Sequence, residues 1–257
     1  MYYLFLGIAV VLIGFQFSFM KLFQKKAGTA LFVSLIFSAV SSIINAALMF
    51  FISGCTLEFS VYSTVLAAIN AGILVAYNLL GIKSLSMGNV TFYSLFMMMG
   101  GMLVPFFFGI FYLDESISVF QIIGAVLLIA ALILPSFGLR GEKMSLPFFM
   151  VNLLVFFLNG SVGVVSKLQQ TGQGAVPATD FLFLSYVMML GLCLILIFVY
   201  LLVQRKKNDP AECGGQARTA LRYSHFTAGY SIASGLGCFC ILLAAAHLPA
   251  SVQYPII

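Results

Sequence analysis

The sequence predicts an all-α integral membrane protein, and three observations lead there. Of 257 residues, 62% are hydrophobic and 7% charged, whereas soluble domains carry roughly a quarter charged residues. Apolar runs recur at about 2–20, 29–52, 61–82, 91–113, 117–137, 146–166, 180–203 and 225–246, and a ninth begins near Ala250. Each matches the roughly 20 residues that a helix needs to cross hydrocarbon, and the short connections suit helices that turn straight back. A globule of this size must expose much of its surface to water, so lipid is the solvent for most of this chain.

The remaining composition excludes other classes. The net charge of +5 and pI near 9.0 come from short basic clusters between apolar runs, which read as topology signals. Nucleic-acid recognition would need a basic patch interleaved with aromatics, so no nucleic-acid partner is expected. Cys55, Cys193, Cys213, Cys238 and Cys240 form no CxxC pair and have no histidine at metal spacing, so they read as small helix-packing residues. No cofactor or metal is expected. No cluster of nucleophile, base and acid appears either, so the chain does not read as an enzyme. Met1 to Phe5 lacks a basic n-region, and the first run reads as a retained span. Residues 204–224 hold Pro210, Gly214 and Gly215 and read as a long solvated loop.

The chain repeats itself. A shift of 146 brings Gly14, Lys21, Leu22 and Gln24 onto Gly160, Lys167, Leu168 and Gln170. A shift of 163 brings Gly72, Leu79, Leu80 and Leu85 onto Gly235, Leu242, Leu243 and Leu248. The units are 1–138, with five spans, and 139–257, with spans six to eight and the start of nine. An odd number of spans inverts the second copy, and transporter folds often place a substrate site between such inverted repeats. The register leaves the segment 95–138 without a partner. About eight and a half of ten helices are then present, and the expectation is a C-terminally truncated piece of a ten-span parent; a nine-span variant is the alternative.

Eleven of the twelve Lys and Arg residues follow spans one, three, five and seven, with Lys167 on the opposite side. The positive-inside rule puts those loops in the cytoplasm and the N-terminus outside. Lys21 and Lys167 sit at helix ends, where the ammonium can snorkel to water. Lys167 could instead meet a substrate carboxylate.

Spans four and five carry Met98, Met99, Gly100, Gly101, Met102, Leu103, Val104 and Pro105, then Tyr112, Leu113, Asp114, Glu115, Ser116 and Ser118, then Gln121, Gly124 and Ala125. This stretch resembles the EamA-like branch of the drug/metabolite transporter superfamily. That family has a proline in helix four, a glutamate at the four–five turn and a Q-x-x-G opening of helix five. Residues 14–21 are similar to its first-helix signature, although the usual tryptophan before Gly14 is absent. The resemblance implies ten helices in two inverted five-helix halves around a central cavity, and alternating access. It also implies both termini in the cytoplasm, opposite to the charge bias.

The functional expectation is a secondary transporter in a bacterial-type plasma membrane that moves a small polar metabolite. An amino acid or related compound is expected on the resemblance alone. The alternative is a non-transporting structural or assembly subunit. The expected partners are the substrate and the bilayer, and the protein would act as a monomer or homodimer. Gln16, Tyr77, Asn78, Tyr93, Ser94, Asn159, Ser161, Gln253 and Tyr254 are the candidate cavity residues. Asn45, Asn70, Asn152 and Tyr186 share their character. A polar group in a span needs an adjacent helix or a wet cavity, and each one alone is accounted for by helix–helix bonding. Tyr77 and Asn78 are adjacent, so one of the two should face a cavity. Pro105, Glu115, Gln121 and Gly124 form the structural motif: Pro105 as a kink, and Glu115 as a cap at a helix start or, less simply, a proton carrier. Met97, Met98 and Met99 read as packing bulk.

Overall fold

The computed structural model describes residues 2–88, 90–113, 119, 122–124, 126–127, 129–130, 145–206, 210–245 and 247–248. Among them, regular structure is helical: α1 (Tyr2–Ala27), α2 (Leu31–Ile52), α3 (Val61–Met87), α4 (Val90–Tyr112), α5 (Leu146–Thr171), α6 (Ala178–Lys206), α7 (Pro210–Arg222) and α8 (Ser224–Ala245). All but α7 are long and apolar enough to cross a membrane, so the chain is a multi-pass, all-helical membrane protein. Most of the fifth run, with Glu115 and Gln121, lies outside the described residues, as do Gln253 and Tyr254. Gly124 is described, and a Cβ there would meet open space.

Local chemistry sets the helix ends. Gly28 follows α1 at φ +89° with its N–H on the Gln24 carbonyl at 3.0 Å, a left-handed cap that glycine adopts without a Cβ penalty. Ser60 caps α3, its Oγ accepting from Ser63 N at 3.1 Å. Ser145 does the same for α5 from Phe148 N at 3.4 Å, with Pro147 in the first turn, where a missing N–H costs nothing.

α1 packs along α8, α2 along α6 and α4 along α5; α3 lies against both α5 and α6, and α2 also meets α8. The α4–α5 contact is a close backbone approach. A Cβ on Gly100 would collide with the Phe156 carbonyl, and one on Gly160 would run into Val104 and come within 2.6 Å of the Gly100 carbonyl. Only glycine permits that backbone approach. Outward side chains such as Val11, Phe111 and Phe198, each at least 60% exposed, are the surface lipid covers.

The interior divides into two apolar clusters. One gathers Ala46, Met49, Ala67, Ala71, Phe181 and Leu242 at the end where α3 and α6 begin. The other gathers Phe23, Phe37, Ile82, Tyr93, Ala220 and Tyr230 at the end where α1 and α3 finish. Lys21, Lys25, Lys26 and Lys83 lie at this second end, with Arg218 and Arg222 of α7; it is the basic end.

Two expectations need correction. Residues 210–222 are helical, not a solvated loop. Pro210 opens α7 at a tolerated position, and packing of Ala220, 2% exposed, against the basic-end cluster outweighs the low helix propensity of Gly214 and Gly215. Lys167 does not snorkel. It is 6% exposed, and its Nζ donates to the Leu248 carbonyl at 2.8 Å, a carbonyl left free where α8 has ended.

Candidate functional site

A cavity of about 150 Å3 lies between the two clusters, at mid-depth of the bundle. Cavities of that size hold a benzene-sized ligand. Its wall is built from helical stripes. α3 contributes Asn70, Leu74, Tyr77 and Asn78; α8 contributes Tyr230, Ser234, Cys238 and Ile241; α5 contributes Asn159, Val162, Gly163 and Ser166. Spacings of three and four place each set on one helix face. Gln16 of α1, Ser41 and Asn45 of α2, Met97, Met98 and Gly101 of α4, and Tyr186 and Met189 of α6 complete much of the rest. No Asp, Glu, Lys, Arg or His is among the described lining residues; the polar groups are amides, hydroxyls and phenols set in an apolar wall, the usual make-up of a small-molecule site.

Several of these groups are held in place. The Tyr230 phenol donates to Asn78 Oδ1 at 2.9 Å, and the Gln16 side chain also hydrogen-bonds Tyr230, joining α1, α3 and α8. Asn159 Nδ2 donates to the Met97 carbonyl at 2.8 Å. Gly101 faces it so closely that a Cβ would come within 2.6 Å of that nitrogen. Tyr77 donates to Met97 Sδ at 2.6 Å and accepts from Tyr93 at 3.3 Å.

A hydroxyl relay orients Asn45. Ser231 Oγ lies 2.7 Å from the Thr227 carbonyl, which can only accept, so the Ser231 proton goes there. Ser41, 2.9 Å from Ser231, therefore donates to it and accepts from Asn45 Nδ2 at 3.3 Å. The Asn45 Oδ1 is left facing Gly235, where a Cβ would collide with it. Among the described residues it has no hydrogen-bond partner, and neither has Asn70 Oδ1, although Asn70 Nδ2 donates to Ser185 at 3.2 Å.

Of the sequence candidates, Gln16, Tyr77, Asn78 and Asn159 border the cavity. Tyr77 and Asn78 both do so, against the one-of-two expectation, because the cavity extends over the 100° that separates neighbours on a helix. Tyr93 is fully buried and reaches the cavity only through Tyr77. Ser94 and Ser161 stand away from the lining and return their hydroxyls to their own helices, at the Thr91 and Phe157 carbonyls. Met97 and Met98 line the cavity rather than acting as packing bulk alone. Pro105 is buried inside an unbroken α4. Sequence reading missed Ser41, Ser166, Tyr230, Ser234 and Cys238. The i, i+4, i+8 stripe of Tyr230, Ser234 and Cys238 was the available signal.

Comparison with known proteins gives a fold and no activity. No family model matches the sequence, and no curated protein matches it. A solved crystal structure, described only as that of a protein, aligns over 98% of this chain and 84% of its own, with a TM-score of 0.51 at 14% identity. That likeness extends to the path of the chain alone.

Proposed function

We propose that this protein is a secondary transporter of the EamA-like, drug/metabolite type, carrying a small polar metabolite across a cell membrane by alternating access. The observation that carries this reading is the mid-depth cavity, lined by neutral amides and phenols in an apolar wall and packed over at both ends. A bundle that needed only stability would fill that space, since interiors are packed to crystal density.

The pairing of helices supports an inverted repeat. α1 and α3 of the first half pack along α8 and α5 of the second, and α2 packs along α6. A two-fold exchange of the halves, with α5, α6 and α8 as counterparts of α1, α2 and α3, maps this set of contacts onto itself. Site chemistry favours a solute without net charge, because the described lining offers no ionic partner and a bare charge in that setting would be costly. Amino-acid-like compounds have no net charge, and their two ionised ends would have to be met by the amides and phenols of the lining.

The test is thermal stabilisation of the full chain in detergent against amino acids, nucleosides, sugars and organic cations, repeated with Gln16→Ala, Asn78→Ala and Asn159→Ala. A ligand that binds only the folded state raises the melting temperature by mass action. A shift for one class that disappears in the three variants is expected. No shift for any class would instead favour a structural subunit.

A further inference from the structure

We propose that the basic end of the bundle, with α7 across it, is a docking surface for the anionic headgroups of membrane lipids. Lys21, Lys25, Lys26, Lys83, Arg218 and Arg222 are all exposed there. Among the described residues none of the six takes part in an ion pair. Of the acidic residues, Glu212 lies in α7, while Glu58 and Asp180 lie at the opposite end, where Asp180 Oδ2 accepts from the Glu58 backbone N–H. Six exposed cations on one face of a membrane bundle, without an ion pair among the described residues, attract counter-anions. In a bilayer, the anions held at that depth are lipid phosphates.

The placement of α7 selects lipid over a soluble acidic partner. It packs mainly on α2 and also touches α1, α6 and α8, so it spans the basic ends of the bundle. Arg218 and Arg222 sit one turn apart on its exposed side, and Leu221, 57% exposed, stands beside them. Leu22, 42% exposed, stands in the same way beside Lys21. Cations alternating with bare leucines are the make-up of a helix lying at the headgroup boundary, charge to the phosphates and apolar side chains to the acyl region. The Arg222 guanidinium lies 6.0 Å from the Tyr223 ring centre, within cation–π range of an aromatic at the same level. The opposite end has only residues 53–60 in the corresponding connection, between α2 and α3, so α7 is an added element.

Docking there reaches the interior. Ala220 belongs to the cluster that contains Phe37 and Tyr230, and Tyr230 borders the cavity. Lipid that holds α7 down therefore reinforces the basic-end closure, whatever solute the cavity takes.

The experiment places the full chain in nanodiscs of phosphatidylcholine alone or mixed with phosphatidylglycerol, and reads the melting temperature. Phosphatidylglycerol should raise it by several degrees, and added salt should shrink the gain. Arg218→Gln with Arg222→Gln should remove at least half of the gain, while Arg218→Lys with Arg222→Lys keeps most of it. No gain in the parent chain, or an equal gain in the double glutamine variant, overturns the proposal. So does an equal gain from soluble poly-glutamate in phosphatidylcholine discs, which would assign the surface to an acidic polypeptide.

Discussion

The two ends of the bundle close by different chemistry. At the end where α3 and α6 begin, the elements are joined by hydrogen bonds between helices and loops. Ser60 Oγ donates to the Gly174 carbonyl at 2.6 Å, Tyr62 to the Leu168 carbonyl at 2.8 Å, and Gln169 Nε2 to Ser63 Oγ at 3.0 Å and to the Val176 carbonyl at 3.3 Å. Val176 N–H also donates to Ser63 Oγ, at 3.2 Å. At the basic end rings meet rings: Phe23 on Phe37 at 4.7 Å, Phe37 on Tyr230 at 4.8 Å, and Phe17 edge-on to Tyr93 at 6.1 Å. Polar links across elements, such as Ser84 Oγ to Asn152 Oδ1 at 2.8 Å and Tyr93 to Tyr77 at 3.3 Å, are set among these rings. Directional bonds hold one register and are lost together once it shifts, whereas ring contacts are less directional and can be remade in a neighbouring arrangement. In the proposed transport cycle the polar end would serve as a latch and the aromatic end as a sliding closure.

Substitutions test this contrast, and the largest effect is expected at the aromatic end. Phe37→Ala removes the ring between Phe23 and Tyr230 and should cost about 3 kcal/mol or more, read as a fall in melting temperature. Gly172→Val acts at the latch. The Tyr62 ring rests on Gly172 so closely that a Cβ would collide with it, and pushing it away should cost about 2 kcal/mol while exposing the cavity from that end only. Ser63→Ala removes the hub shared by Gln169 and Val176 without steric change. A loss of about 1–2 kcal/mol is expected, with protease cleavage of the 172–177 loop as a second readout. Tyr77→Phe removes one hydroxyl between Tyr93 and Met97, and about 0.6 kcal/mol is the scale for such a bond between membrane helices. If Ser63→Ala and Tyr77→Phe prove equal, the contrast between the ends is weaker than the geometry indicates.

Much of this architecture was legible in the sequence because lipid imposes a simple rule. Seven of the apolar runs became helices α1–α6 and α8, since a spanning segment must satisfy its own backbone hydrogen bonds. Gln16, Asn78 and Asn159 stood out as amides in apolar runs, and they border the cavity. Tyr230, Ser234 and Cys238 did not stand out, because small and weakly polar residues are also the ordinary currency of helix packing. Helix α7 was hidden by Gly214 and Gly215, whose low propensity is overcome by tertiary contact at Ala220. Lys167 was misread because nothing local to α5 announces that the Leu248 carbonyl comes back over it.

The proposed cycle requires that one cavity be reached from alternate sides and hold a small solute. Cys238, on the cavity wall, provides the most direct test, in a full chain whose other cysteines are replaced by serine. A membrane-impermeant thiol reagent is added to one side of oriented proteoliposomes at a time. Labelling that Gly172→Val speeds from the latch side and slows from the basic side, and that a stabilising solute suppresses from both, is the predicted result. Labelling that responds to neither the substitution nor any solute, or that Gly172→Val speeds equally from both sides, would contradict it.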